Sequence, residues 1–242
     1  MNVEKPRPTH PTDLVRYHPL LQGLEAEATD AFLAGLVQRQ GRAGQVLEHE
    51  GEHGPSFFLL LRGAVREVLS EPDGREVLVD LIRAPTVLGI EALLGEPSLR
   101  QFSVVDRAVW LEVPAERVRS IGLCCPELPL RLLRSAAQQL ERRQRLLYSL
   151  SFEPVRVRLA RLFAAYVEVF GLPDAEGTLI PVALSHARLS QDLGVAKRSI
   201  DRALEGWVSK RWIIRRGRAF VVSDLQRLLS SAELDRGPRP AP

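Results

Sequence analysis

The chain has 242 residues, 45% of them hydrophobic, so it can bury one large core or two modest ones. No apolar run approaches the roughly 20 residues needed to span a bilayer, and the first residues lack the apolar stretch of a secretory signal, so we expect a cytoplasmic protein. Charge is uneven: residues 1–127 carry 13 Lys and Arg against 19 Asp and Glu, whereas residues 128–242 carry 20 against 11. A basic second half beside an acidic first half indicates that the second half meets a polyanion.

The first half predicts a short helical segment followed by many strands. Residues 14–37 have helical spacing with a break at His18-Pro19. From Gly41 to about Val113, short apolar runs alternate with glycine-marked turns, and the stretch E-P-D-G-R at 71–75 is typical of a hairpin turn. Many short strands at close spacing predict an all-β sandwich or barrel.

The two cysteines, Cys124 and Cys125, are adjacent. Neighbouring residues rarely form a disulfide, because the bridge strains the peptide between them. Two thiols alone also cannot supply the four ligands that an iron–sulfur cluster usually takes. We interpret the pair as thiols near the start of a helix, with a redox-sensing pair as the alternative, and we predict no cofactor.

A long helix is predicted from Pro126 to about Ser149. Its apolar positions alternate by three and four residues, which is a heptad seam over about three repeats. The seam consists of Leu130, Leu133, Ala137, Leu140, Gln144 and Leu147. Because a narrow seam suits a contact between two helices, we predict self-association, with packing inside one domain as the alternative.

The stretch L-S-Q-D-L-G-V-A-K-R-S-I-D-R-A-L at 189–204 predicts two helices joined at Gly194. Ser185 can cap the first helix, over about 186–193, and the second runs over about 197–209. Its buried face leaves charged and polar side chains on the other side. These are Lys197, Arg198, Ser199, Asp201 and Arg202. A helix fits the major groove of DNA, and arginine forks match the O6 and N7 atoms of guanine.

A short hairpin turning near Gly217 follows and carries Arg215, Arg216 and Arg218. A basic hairpin directly after the two helices predicts a winged helix–turn–helix. Ser185 and the helix N-terminus can hold phosphates. We expect Arg198→Ala to relax base preference and Arg216→Ala to weaken DNA binding more uniformly.

One motif competes with this interpretation. His49-Glu50-Gly51-Glu52-His53 fits the H-E-x-x-H signature of zinc peptidases, which needs a helix so that both imidazoles share one face. Here Gly51 lies inside the motif, and the surroundings are strand-like. A metal-dependent hydrolase using His49 and His53 stays open as a remote alternative, and no other motif argues for an enzyme.

The order of β-rich module, heptad helix and winged helix–turn–helix resembles the CRP/FNR family of bacterial transcription regulators. The framework glycines Gly44, Gly51 and Gly63, and the stretch L-S-H-A-R-L-S-Q-D-L-G-V-A-K-R-S-I-D-R-A-L, carry the resemblance. It implies an α+β chain with a jelly-roll effector domain at 13–125, a dimerisation helix at 126–152 and a DNA-binding domain at 153–236. It also implies a homodimer on a palindromic operator, contact with RNA polymerase and an activator role.

The predicted effector pocket departs from the family's phosphate cassette. Nucleotide-binding members carry a Gly-Glu pair and an Arg-Ser pair, whereas here Gly89 is followed by Ile90, and Arg100 by Gln101. Glu91 could replace the glutamate only with a one-residue shift, which in a strand would reverse its side chain. We expect weak or no affinity for cyclic nucleotides, with gating by such a nucleotide or another ligand as the alternative.

Overall fold

The structure is a computed structural model, and it describes residues 11–234 except residues 53, 72, 74 and 124. The chain forms two compact units. Unit 1 contains residues 1–65 and 82–140, and unit 2 contains residues 66–81 and 141–242. In the described part of the chain, no helix is both long and apolar enough to span a bilayer.

Unit 1 is built on an antiparallel sheet in which each of two long strands pairs with several others. The strands are β1 (Gln38–Arg42), β2 (Val46–Glu48), β3 (Ser56–Ser70), β4 (Glu76–Arg83), β5 (Thr86–Leu88) and β6 (Gln101–Pro114). The order of paired strands is β1, β6, β3, β4, with β2 also paired to β6 and β5 to β3. The ends of β3 and β4 joined by residues 71–75 belong to unit 2. The β-rich fold predicted for this half is confirmed.

The apolar run at residues 57–61 explains why β3 lies inside the fold. Side chains alternate between the faces of a strand. Phe57, Leu59 and Leu61 accordingly join one buried cluster, whereas Phe58 and Leu60 join another. A continuous apolar run is therefore buried on both faces, as its composition requires.

Helices complete unit 1. They are α1 (Pro11–Arg16), α2 (Ala26–Leu33), α3 (Ala115–Gly122) and α4 (Glu127–Phe152), the last of which continues into unit 2 at residue 141. The break predicted at His18-Pro19 is present but wider, since α1 ends at Arg16 and α2 begins at Ala26. At the break, His18 is only 1% exposed, and its Nε2 lies 3.0 Å from the carbonyl oxygen of Thr86. Cys125 is a free thiol two residues before α4, and Cys124 lies outside the described residues.

Unit 2 is helical with a small sheet. Its helices are α5 (Val155–Phe170), α6 (His186–Leu193), α7 (Lys197–Ser209) and α8 (Leu225–Leu234). The sheet has the order β7, β8, β10, β9, formed by β7 (Leu172–Asp174), β8 (Gly177–Ile180), β9 (Ile213–Arg216) and β10 (Ala219–Val222). Sequence analysis missed β7 and β8, which are too short to show periodicity.

The core of unit 2 fixes the orientation of α7. Trp207 is fully buried and packs edge-on against Phe163, with ring centroids 6.2 Å apart, and Phe163 packs in the same way against Phe220. Val68 and Leu78, from the hairpin end of β3 and β4, belong to this same core. The helix–turn–helix is thus packed from several sides within unit 2.

Candidate nucleic-acid interface

The helix–turn–helix forms as predicted from its local signals. The Ser185 hydroxyl accepts a hydrogen bond from the Arg188 backbone N–H at 3.1 Å and so caps α6. Gly194 ends that helix with φ of 60°, a left-handed conformation that glycine adopts at low cost. The bounds 186–193 and 197–209 predicted for the two helices are both confirmed.

The buried face of α7 leaves its cations in solvent. Ile200, Leu204 and Trp207 are at most 2% exposed. Lys197, Arg198 and Arg202 lie on the exposed side, and Ser199 is half-buried. Since the apolar face is anchored in the core, the first turn of α7 presents its charges outward.

Lys197 and Arg198 lie at the N-terminal end of α7, where a helix favours anions. The N-terminal end of a helix carries a partial positive charge, so a cation there costs about 0.3–1 kcal/mol at low ionic strength. The first turn of α7 contains no acidic residue. Arg198 and Arg202 form no ion pair with any residue that the structure describes. This arrangement does not stabilise the isolated helix, and it suits an external polyanion.

Asp201 joins the two helices. One carboxylate oxygen lies 2.5 Å from Nδ1 of His186 in α6, and the other lies 3.5 Å from Nζ of Lys197. The bond to His186, followed by the charge of Lys197, lowers the pKa of Asp201. Asp201 therefore remains ionised and ties α6 to the start of α7.

The wing carries three exposed arginines in different environments. Gly217, with φ of 63°, turns β9 into β10. Arg216 is bound by Asp174 at 2.6 Å and Glu176 at 2.7 Å, and these hydrogen bonds raise its pKa. Arg215 donates to the carbonyl of Gly217 at 3.1 Å. Arg218 forms no ion pair with a described residue.

A buried ion-pair network holds α6, and sequence analysis missed it. The guanidinium of Arg66, on the hairpin end of β3, bonds the Asp192 carboxylate, and their side chains are 6% and 0% exposed. Arg188 approaches Asp192 at 3.1 Å, and the Tyr166 hydroxyl lies 3.4 Å from it. Since 126 positions separate Arg66 from Asp192, no local spacing signals this pair.

The predicted seam of α4 is a line of exposed side chains. Leu130, Leu133, Leu140 and Leu147 are 57–66% exposed, and Ala137 and Gln144 are also exposed. Neighbouring positions such as Leu128 and Leu132 are instead buried in unit 1. The seam is therefore not the face by which α4 packs on its own unit, and its role in self-association stays a prediction.

The effector-pocket residues are placed differently from the expectation. Gly89, with φ of 68°, precedes a short 3-10 helix, Ile90–Leu94, so Glu91 does not lie in a strand and the argument from strand alternation was wrong. Its carboxylate lies 2.9 Å from the Arg100 guanidinium, and both side chains are nearly buried. Gln101 begins β6 and is half-buried. The structure therefore brings Glu91 and Arg100 together despite the departure from the cassette.

The first residues of the H-E-x-x-H stretch are not helical. His49 precedes a turn in which Gly51 has φ of 82°, and the His49 N–H donates to the Glu52 carboxylate at 2.9 Å. His53 lies outside the described residues. Among those residues, no group of three His, Cys, Asp or Glu side chains is placed to hold a metal.

Known proteins resemble both halves of the chain. The cyclic nucleotide-binding domain family matches residues 38–122. A CRP-like cAMP-activated global transcriptional regulator of Mycobacterium tuberculosis is 27% identical over 217 residues, covering 88% of this chain and 96% of that protein. A global nitrogen regulator of Nostoc is 27% identical over 166 residues, covering 67% of this chain and 74% of its own.

A solved structure shares the fold. A CRP/FNR-family transcriptional regulator from Thermus thermophilus superimposes with a TM-score of 0.73 at 20% identity, covering 83% of this chain and all of that one. Together with the matched domain, the near full-length relative and the helix–turn–helix described above, this shared fold supports a transcription regulator of the CRP/FNR type.

Proposed function

We propose that the chain binds specific sites in double-stranded DNA as a homodimer, with α7 in the major groove and the wing against the backbone. The observation that carries this proposal is the exposed position of Arg198 and Arg202 on the first turns of α7, without an ion pair to any described residue. Regulators of this family bind DNA and act as dimers. The side chains on the N-terminal part of such a helix can contact base edges in the groove. Each good contact contributes about 1–3 kcal/mol to discrimination against the wrong base.

Individual residues take distinct roles in this proposal. Lys197, Arg198 and Arg202 face the groove, with Ser199 beside them. The Ser185 hydroxyl accepts a backbone N–H and can still donate its own hydrogen to a phosphate oxygen. Arg218 and Arg215 approach the backbone from the wing. Arg216 is bound by two carboxylates, so we now expect it to hold β9 to the β7–β8 turn more than to bind phosphate.

The test compares two arginines with different roles. We expect Arg198→Ala to weaken binding to the preferred operator by about 1–3 kcal/mol while leaving binding to random DNA nearly unchanged. Arg218→Ala should weaken binding to both and lower the slope of log affinity against log salt by about one. Fluorescence anisotropy at several salt concentrations measures both quantities.

The control is Arg62→Ala, which removes the same charge from an exposed position of unit 1. It should behave as the unmodified protein. If Arg198→Ala retained both affinity and selectivity, α7 would not be the helix that reads the bases.

We also propose that cyclic AMP does not gate this protein, although the Mycobacterium tuberculosis relative is named as cAMP-activated. Ile90 cannot accept a hydrogen bond from a ribose hydroxyl, and Arg100 is already paired with Glu91 at 2.9 Å. Leaving a buried polar group unpaired costs about 1–3 kcal/mol. The activator role and the contact with RNA polymerase that the family resemblance implies stay predictions.

A further inference from the structure

Unit 1 contains a cavity of about 340 Å³ whose ionisable lining is mainly acidic. Glu52 and Glu112 are exposed at its rim, where Arg39 lies 3.9 Å from Glu112. Deeper in the fold, Glu48, Phe58 and Trp110 also line it, and each is at most 8% exposed. The cavity thus has an acidic rim and a floor made of a carboxylate and two aromatic rings.

Glu48 is buried without full hydrogen bonding. Its side chain ends β2 and is 4% exposed, and its Oε2 has no hydrogen-bond partner among the described residues. Isolating an ionised carboxylate from water costs several kcal/mol unless a cation or donors compensate. Burial, followed by the charge of Glu91, raises the pKa of Glu48 to about 7. A hydrogen bond from Ser98 and the charge of Arg100 offset this rise only in part.

The neighbouring guanidinium, that of Arg100, lowers the pKa of Glu48 but also pairs with a second carboxylate. Arg100 lies 2.9 Å from Glu91, and Oε1 of Glu91 also lacks a hydrogen-bond partner in the described part of the chain. Two buried carboxylates therefore share one guanidinium. A Cβ atom placed on Gly89 would lie only 3.3 Å from Oε2 of Glu48, so this carboxylate borders the position where the family's cassette begins. A ligand phosphate there would meet negative charge.

We propose that this cavity binds a small organic cation, a protonated amine or guanidine, whose charged group pairs with Glu48 and whose body lies against Phe58 and Trp110. Aromatic faces attract cations within about 6 Å, most strongly where the contact is desolvated. A hydrogen bond to a charged group is stronger than one between neutral groups. The aliphatic part of an amine also suits contact with the rings of Phe58 and Trp110.

This inference deepens the proposed function by naming the class of effector, and only its regulatory consequence rests on DNA binding. The test is therefore made without DNA. Putrescine and agmatine are titrated into the full chain by calorimetry at pH 8 and constant ionic strength. The uncharged 1,4-butanediol and cyclic AMP serve as comparison ligands. We expect the two cations to bind and the diol and the nucleotide not to bind.

The decisive variant is Glu48→Gln, which keeps the shape of the side chain and removes its charge. It should weaken agmatine binding at least about tenfold. Glu50→Gln makes the same change at an exposed position outside the cavity lining and should have no effect. Trp110 fluorescence offers a second measurement: agmatine should change the emission of the unmodified chain, and Trp110→Phe should lose that change.

Two results would overturn the proposal: no amine binding at millimolar concentration, or equal binding by Glu48→Gln and the unmodified chain. Tight binding of cyclic AMP would also contradict it. Each of these results is independent of whether Arg198→Ala relaxes base preference. The ligand proposal and the DNA-binding proposal can therefore fail separately.

Discussion

At the scale of single residues, Glu48 is a buried side chain whose charge changes near neutral pH. Its pKa is raised from 4.5 to about 7 by burial, by Glu91 and by Glu52, while Ser98 and Arg100 act in the opposite direction. Between these two values the folded chain holds a proton that the unfolded chain has released. Stability from this group is therefore present below about pH 4.5 and is lost as pH rises through 7.

We therefore predict that Glu48→Gln stabilises the ligand-free protein more at pH 8 than at pH 5. The measurement is the difference in Tm between variant and unmodified chain at both values. His18, whose pKa burial lowers to about 4, affects both proteins alike and cancels in this difference. A difference that stayed constant from pH 5 to pH 8 would show that Glu48 does not titrate in this range.

At the scale of elements, the Arg66–Asp192 pair fixes α6 within unit 2. Removing one member of a buried ion pair leaves the other charge uncompensated, which typically costs about 3–5 kcal/mol. We predict this loss for Asp192→Ala, measured by urea unfolding followed through tryptophan emission, to which the buried Trp207 contributes.

Two further variants test the cause of that loss. Arg66→Met combined with Asp192→Leu should recover most of the stability, because apolar residues of similar volume often replace a buried pair without loss. Arg227→Ala, which breaks the exposed pair with Asp224 but keeps the Asp224 carboxylate that accepts from the backbone N–H of residue 227, should change stability by less than about 1 kcal/mol. Equal losses for Asp192→Ala and Arg227→Ala would contradict the role assigned to Asp192.

Among the helices and strands, those with local sequence signals could be predicted. The two helices of the helix–turn–helix, their Ser185 cap and the Gly194 corner are signalled within a few positions, so their bounds were predicted correctly. Strands β7 and β8 gain their order from pairing, such as Leu179 opposite Val221, and have no period of their own.

The residues of the candidate sites also divide into those that local spacing predicts and those that it does not. The exposed cations of α7 follow from helical spacing alone. The pairing of Arg216 with Asp174, the link between His186 and Asp201, and the burial of Glu48 join positions that are distant in the chain or that face the interior. Only the tertiary fold brings these groups together, so composition and spacing could not reveal them.

At the scale of the whole molecule, the proposed DNA recognition requires two copies of α7 on one duplex. The seam of α4 exposes four leucines at 57–66%. Burying apolar area contributes about 25 cal/mol per Å², so a self-complementary line of leucines favours pairing. Two recognition helices in a dimer enter successive major grooves about 34 Å apart. The preferred DNA should therefore contain two inverted half-sites.

The most direct test is selection of bound fragments from random duplexes, read by sequencing, for the unmodified chain and for Leu140→Glu. The account predicts an inverted repeat with half-site centres about one helical turn apart for the unmodified chain, which should sediment at twice its 27.0 kDa mass. Leu140→Glu should sediment as a monomer and enrich no inverted repeat, whereas Gln138→Glu, off the seam, should match the unmodified chain. Enrichment of no sequence, or of the same inverted repeat by a monomeric Leu140→Glu, would contradict the account.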